Sequence, residues 1–290
     1  SDVDERAWFE VLRPTLSDKS KEGSALFLGT PRGYGNWSYN LFTKQETDNN
    51  WKSFKYTTLD GGQVSANEIE QAKQDLDERT FKQEYLSDFV NYSGAIYYNF
   101  NREENVLKEY IPSSNTIHIG VDFNLDPMSA VVSEVKQDYL YVYDEIVIYG
   151  SNTDELVEEI NNRYSGKHIF VYPDPASKQR KTSAGGRTDL SILKNAGYNV
   201  RVRNAHPLVR DRINAVNTKL KNTKGVRTLF IANKCKNVIK SIERQIYKEG
   251  TSLPDKENNY DHMNDALGYL IEFLYPIRTH FKPSPPKRFS

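Results

Sequence analysis

The chain has 290 residues, enough for one large or two modest cores, and its 39 basic and 39 acidic side chains cancel, so no global field marks a nucleic-acid or membrane-surface partner. A single cysteine, Cys235, excludes an internal disulfide framework and suits a reducing compartment. No apolar run reaches membrane-spanning length and the polar opening SDVDERAW is not a secretory signal, so a soluble cytoplasmic protein is expected.

In chain order, residues 1–44 predict a helix (ERAWFEVLRPTL), a strand (SALFLGT), a turn (PRGYGN) and a second helix (WSYNLFTK). This is the tail of an α/β unit without its opening strand, so residue 1 is expected to fall inside a larger domain. From Trp51 a strand (SFKYTT) and two helices follow, the first opened by Ser65 with Glu68 in capping-box position; they predict a small adjunct subdomain over 51–112. Its last part, the polar NREENVLKEYIPSSN, reads as a linker. Residues 116–149 then give three strands, TIHIGVDF, MSAVVSEV and YLYVYDEIVIY, the last two joined by the short KQD connection of a hairpin. Helix and strand alternate afterwards: TDELVEEINNRY, KHIFVYPD, TDLSILKNAG, YNVRVR, LVRDRINAVNTKLKN, TLFIA, NVIKSIERQIYK and a final helix from Asp261. A three-strand meander continued by parallel βα units is a mixed α/β sheet in ribonuclease H-like order, spanning 113–276.

Three acids fall at telling places in that order: Asp122 closes the first strand, Asp174 follows the fourth, and Asp265 lies in the last helix. The first and fourth strands are neighbours in such a sheet, so their carboxylates converge and a crossing helix can add the third. Hard divalent ions take oxygen ligands, and two of them could clamp a phosphodiester. Within the last helix Asp261, His262 and Asp265 share a face, with Asp261 and His262 as accessory groups, His262 as ligand or proton donor. Each residue also has an ordinary reading. Asp174 before Pro175 can be a turn former, Asp122 can close a turn to Asn124, Asp265 can answer the helix dipole, and His262 can be a plain polar residue. Asp126 is a minor candidate and Asp144 reads as a strand-edge residue.

The segments RPTLSDK (13–19), ALFLGTPRGYGNW (25–37), FKQEYLSDF (81–89), GVDFNLDP (120–127), YPDPA (172–176) and DHMNDALGY (261–269) together resemble the large terminase subunits of tailed bacteriophages, motors that join an ATPase to a ribonuclease H-like nuclease. The resemblance implies that residues 1–50 are the end of a P-loop-type ATPase domain and 51–112 its lid or linker. Thr30 would then lie in the motif that couples hydrolysis to DNA movement. It further implies metal ligation by Asp122, Asp174 and Asp265 with two Mg²⁺ or Mn²⁺, and cleavage of double-stranded concatemeric DNA with little sequence specificity. A portal protein and a small terminase subunit are the implied partners, in a ring on the capsid within the cytoplasm of an infected bacterial host. No GxxxxGK[ST] loop is present, since YSGKH (164–168) lacks the leading glycine, so ATP-Mg is expected to be used by a full-length parent only.

Local basic residues supply what the net charge does not. Lys178, Arg180, Lys181 and Arg187, in the glycine-containing loop after Asp174, read either as phosphate contacts or as a solvated loop, and Arg201, Arg203, Arg210 and Arg212 extend the same sign. The tyrosines at 139, 141, 143 and 149 read as a sheet face and carry no functional assignment, and the basic, proline-rich tail 277–290 is expected to be extended or disordered. Two alternatives stay open: another ribonuclease H-like nuclease of resolvase or transposase type, and a motor-associated DNA-binding or force-transmitting module with a dormant nuclease.

Overall fold

The computed structural model describes residues 5–17, 23–31, 37–90, 94–124, 126–175, 188–248, 251–257 and 259–277. The basic loop carrying Lys178, Arg180, Lys181 and Arg187 lies outside them, as does nearly all of the tail. No helix among the described residues is long and apolar enough to cross a membrane.

The front of the chain is helical over Ala7–Leu12 and α1 (Arg13–Thr15), then over α2 (Trp37–Thr43) and a turn at Lys44–Glu46. Neither the strand expected at 24–30 nor the one at 53–58 forms. A strand needs a neighbouring strand for its backbone N–H and C=O groups, and none of the described strands lies beside either segment. The alternation of a strand is nevertheless visible. Leu26 and Leu28 are 80% and 87% exposed, whereas the Phe27 ring lies 4.5 Å from Trp8 and stacks on Trp51 at 5.9 Å.

Two capped helices follow, α3 (Ala66–Asp75) and α4 (Glu78–Tyr85). Ser65 Oγ accepts from Glu68 N, and the buried Asp77 carboxylate accepts from the backbone of Arg79 and Thr80, so both helix starts have orphan N–H groups answered. Ile69, Ala72, Leu76 and Phe81 form a small core of their own. This module is tied to the main body where Thr223 N donates to Leu76 O at 3.1 Å and Asn222 Nδ2 to Gln74 O at 3.0 Å.

The segment that reads as a linker is instead woven into the sheet. It holds α5 (Arg102–Asn105), capped by Asn101, and β1 (Val106–Leu107), which pairs in parallel with Ile231 and Ala232 of the chain's last strand. Its polar residues have specific work: the Tyr110 hydroxyl and the backbone of Ser113 and Ser114 donate to the buried Glu134 carboxylate, which those bonds hold below its ordinary range despite burial. Composition alone does not separate a solvated linker from a strap whose polar atoms answer a buried charge.

The main body follows the expected order. β2 (Thr116–Asp122), β3 (Met128–Lys136) and β4 (Tyr139–Ile148) form the antiparallel meander. Then come α6 (Thr153–Tyr164), β5 (His168–Pro173), α7 (Asp189–Asn195), β6 (Asn199–Val200), α8 (Val209–Leu220), β7 (Leu229–Ala232), α9 (Lys236–Arg244) and α10 (Asp261–Leu274). The sheet order is β1-β7-β4-β3-β2-β5-β6, with β5 beside β2 and parallel to it, as the meander-plus-βα reading requires. β7 adds to the far side of β4 in parallel, and β1 to β7. β6 is shorter than the YNVRVR run, because Arg203 leaves the sheet edge to bond Glu272 and the carbonyls of Glu272 and Phe273 on α10.

One glycine sets how α10 meets the sheet. A Cβ on Gly120 would stand 2.1 Å from the Ala266 carbonyl oxygen and 2.9 Å from Leu270 Cβ, so the helix rests directly on the strand backbone. Gly120→Ala is expected to cost about 1–3 kcal/mol or more, because backbone rather than a flexible side chain must move; urea unfolding measures it, and an unchanged midpoint would refute the close approach.

Candidate active site

The seat on Gly120 fixes the register of everything at this end of the sheet. β2 and β5 run in step, Gly120 opposite Tyr172 and Val121 opposite Pro173, and Asp174 N donates to Val121 O at 3.2 Å. Asp122 and Asp174 are therefore the next pair, side by side at the carboxyl ends of adjacent parallel strands. Residues two apart share a face, so both acids follow Gly120 and Tyr172 onto the face covered by α10. Four residues before Ala266, one helical turn, His262 reaches the same place: its Nδ1 lies 3.0 Å from Asp122 Oδ2. The amino end of α10 thus lies over the acids, where its dipole favours negative charge.

Asp265 is the next acid on that helix and is largely buried, with Arg212 Nη1 of α8 at 2.9 Å from its Oδ1. Burial pushes its carboxyl above the ordinary range, Arg212 opposes this, and the nearby Asp122 and Asp261 add to it. Arg212 is itself 7% exposed, with its guanidinium over the Tyr269 ring at 4.3 Å. Asp261, also buried, has one oxygen 3.3 Å from Lys256 Nζ, while its Oδ1 has no hydrogen-bond partner. Asp174 Oδ1 lies 3.3 Å from His206 Nδ1. Tyr269 is buried among these groups, and its hydroxyl is pushed up by burial first and then by Asp174, Asp265 and Asp122, partly offset by Arg212.

His262 takes its charge state from this cluster. Its pKa is raised from 6.5, chiefly by the hydrogen bond to Asp122, against the opposing effect of burial. Asn124 Nδ2 stands 3.0 Å from Nε2, and turning the amide lets its oxygen accept from an imidazolium. A folded-state pKa above the unfolded value gives stability that is complete below 6.5 and lost as pH rises through the higher folded value. His262→Ala should therefore cost more stability at about pH 6 than at about pH 9, read as the difference in thermal midpoint from the parent at each pH; an equal cost at both would refute the charged pairing.

The donor set suits a hard divalent cation: carboxylate oxygens, mutually repelling, one of them a buried orphan on Asp261. Asp122, Asp174 and Asp265 would hold it. As they stand, no three His, Cys, Asp or Glu groups among the described residues surround a single point at ligating distance.

Comparison with known proteins bears on this arrangement directly. The family model described as the terminase RNase H-like domain matches residues 119–273, more than half the chain, which takes in all three acids. The chain belongs to the terminase RNase H-like domain family. It is 29% identical over 194 residues to the large subunit of the terminase of Escherichia phage T5, covering 62% of this chain and 43% of that protein. The large terminase of a thermophilic bacteriophage shares the fold, with a TM-score of 0.67 at 19% identity over 91% of this chain and 66% of that one. The same phage protein in complex with ATP-gamma-S gives 0.68 at 19% identity, over 93% and 69%. The chain thus spans less than half of the T5 protein and about two-thirds of the thermophilic phage protein. Family membership removes the resolvase or transposase reading.

Within this terminase domain the basic residues divide. Arg201 is exposed, near the Phe170 ring at 5.6 Å. Arg203 is committed to α10, Arg210 pairs with Asp211 and approaches Glu84, and Arg212 is the buried counter-charge of Asp265. Arg203 and Arg212 are thus engaged by acids of α10, Arg203 with its side chain still 37% exposed and Arg212 buried. Thr30 is exposed in the irregular 23–31 segment, and Asp144 accepts from the Tyr164 hydroxyl at 2.5 Å and pairs with Arg163 and Lys234. Gly120 and His206 carry no site assignment in the sequence; a glycine inside an apolar strand is the signal for the first.

Proposed function

We propose that this chain is the nuclease part of a DNA-packaging terminase large subunit, a metal-dependent endonuclease that cuts concatemeric double-stranded DNA with little sequence specificity. The observation that supports the reading is the in-step pairing of β2 with β5 under α10, which sets Asp122 beside Asp174 at one sheet end beneath the helix that carries Asp265. Two Mg²⁺ or Mn²⁺ ions, when bound, would neutralise the scissile phosphate and supply activated water. The chain's own contribution is orientation: His262 fixes one oxygen of Asp122 and leaves the other, and Arg212 holds Asp265 on the same side. His262 is also the group able to move a proton at this place. Residues 1–50 and 51–112 are read as the end of an ATPase domain and its lid, with Thr30 in the coupling motif, ATP-Mg serving the larger protein, and a portal protein and small subunit as partners of a ring in the host cytoplasm.

The test is cleavage of supercoiled plasmid across a titration of Mg²⁺ and Mn²⁺. Nicked and linear products should rise with metal and vanish with chelator. Neither cleavage nor Mn²⁺ binding under any condition would overturn the reading and favour a force-transmitting module.

A further inference from the structure

The expected phosphate contacts on the β6 side are largely committed to acids of the fold, yet a second basic surface approaches the acids from the opposite side. A groove of about 280 Å³ lies between the ends of β3 and β4, α9 and the start of α10, and His262 is part of its wall. Ser129 lines it, directly across the β2–β3 ladder from Asp122; its Oγ is buried and has no hydrogen-bond partner. Tyr149, 72% exposed, and Tyr260 flank the opening, and Lys240 stands on its far wall with its Nζ 5.7 Å from the Tyr260 ring centre.

Lys240 is not isolated. α9 buries Val238, Ile239 and Ile242 and exposes Lys236, Lys240 and Arg244, four residues apart and so in one row with about 6 Å of rise between them. The Tyr260 hydroxyl is drawn below its ordinary pKa, chiefly by Arg244 and also by the charge of Lys240. The amino end of α9 is no part of the argument, because Glu145 already accepts from Asn237 N and Val238 N. A row of cations of which the middle one, Lys240, lines a groove that His262 also lines suits a chain of evenly spaced phosphates rather than one small anion.

We propose that the α9 row of Lys236, Lys240 and Arg244, with the groove lined by Ser129 and Tyr260, is the track that holds the DNA backbone as it enters the acid centre. The track rests on the nuclease reading, and positions phosphates without reading bases. Its flat aromatic flanks, Tyr149 and Tyr260, border the sugar-phosphate chain.

The experiment is fluorescence anisotropy of a labelled duplex of about 30 base pairs with the full chain in chelator, where cutting does not interfere. Lys240→Ala/Arg244→Ala should raise Kd about tenfold and lower the slope of log K against log salt by roughly 1.8, two phosphates at about 0.9 each. Lys194→Ala, an exposed cation of α7, should change neither. Because both substituted residues are exposed, an unchanged thermal midpoint excludes misfolding. Parent-like Kd and slope in the double variant, with the parent binding and cutting DNA, would overturn the track alone. A parent chain that neither binds nor cuts DNA would overturn the nuclease reading with it.

Discussion

Asp122→Asn should lower plasmid cleavage by roughly 10²–10³-fold or more, the scale on which removal of one group stabilising transition-state charge is felt. The substitution is nearly isosteric, and the amide oxygen still accepts from His262 Nδ1, so the strand end and the seat of α10 are retained. What disappears is the negative charge beside Asp174 on the neighbouring strand. The loss should fall on kcat and on Mn²⁺ affinity measured by calorimetry, while duplex affinity in chelator is preserved, since phosphates are repelled rather than attracted by this carboxylate. A variant that still binds Mn²⁺ and cuts at the parent rate would remove Asp122 from the centre. Asn264→Ala provides the contrast, because Asn264 is buried on α10 and its amide nitrogen donates to the Gln245 side chain and the Tyr260 carbonyl rather than to Asp122.

Much of this was legible in the sequence, and for physical reasons. The period-two runs at 116–122, 128–136 and 139–148 and the helical periods after them survive because each buries an apolar face whatever its neighbours do. The side-by-side placement of Asp122 and Asp174 followed from the order of those elements. The strands at 24–30 and 53–58 failed because a strand is a property of a pair, and local pattern does not tell whether the partner is there. The linker reading failed differently: Tyr110, Ser113 and Ser114 are polar because Glu134 is buried beneath them. The pairing of Arg203 and Arg212 with acids of α10 was invisible for a related reason. Charge along a chain does not reveal which acid, 53 to 69 positions away, will claim a guanidinium.

Arg212→Met is expected to destabilise the metal-free protein by about 3–5 kcal/mol, the cost of leaving one member of a buried ion pair without its partner. Asp265 is the member left behind, and it is a carboxylate already pushed up by burial and by Asp122 and Asp261. Two dependences separate this from a simple packing loss. First, Asp265's folded pKa lies above its unfolded value, so its penalty is absent at low pH and grows as pH rises through the folded value; the variant's deficit should shrink as pH falls. Second, a divalent ion held at the acids would take over the counter-charge, so saturating Mn²⁺ should stabilise the variant more than the parent, by an amount that grows with metal concentration. Arg212→Lys should recover part of the loss, keeping the charge but giving up the planar stack over Tyr269. Chemical unfolding across pH and Mn²⁺ measures all three. A deficit unmoved by either would mean that Arg212 is held for its packing alone, and that Asp265 does not share its negative charge with the centre at the strand ends.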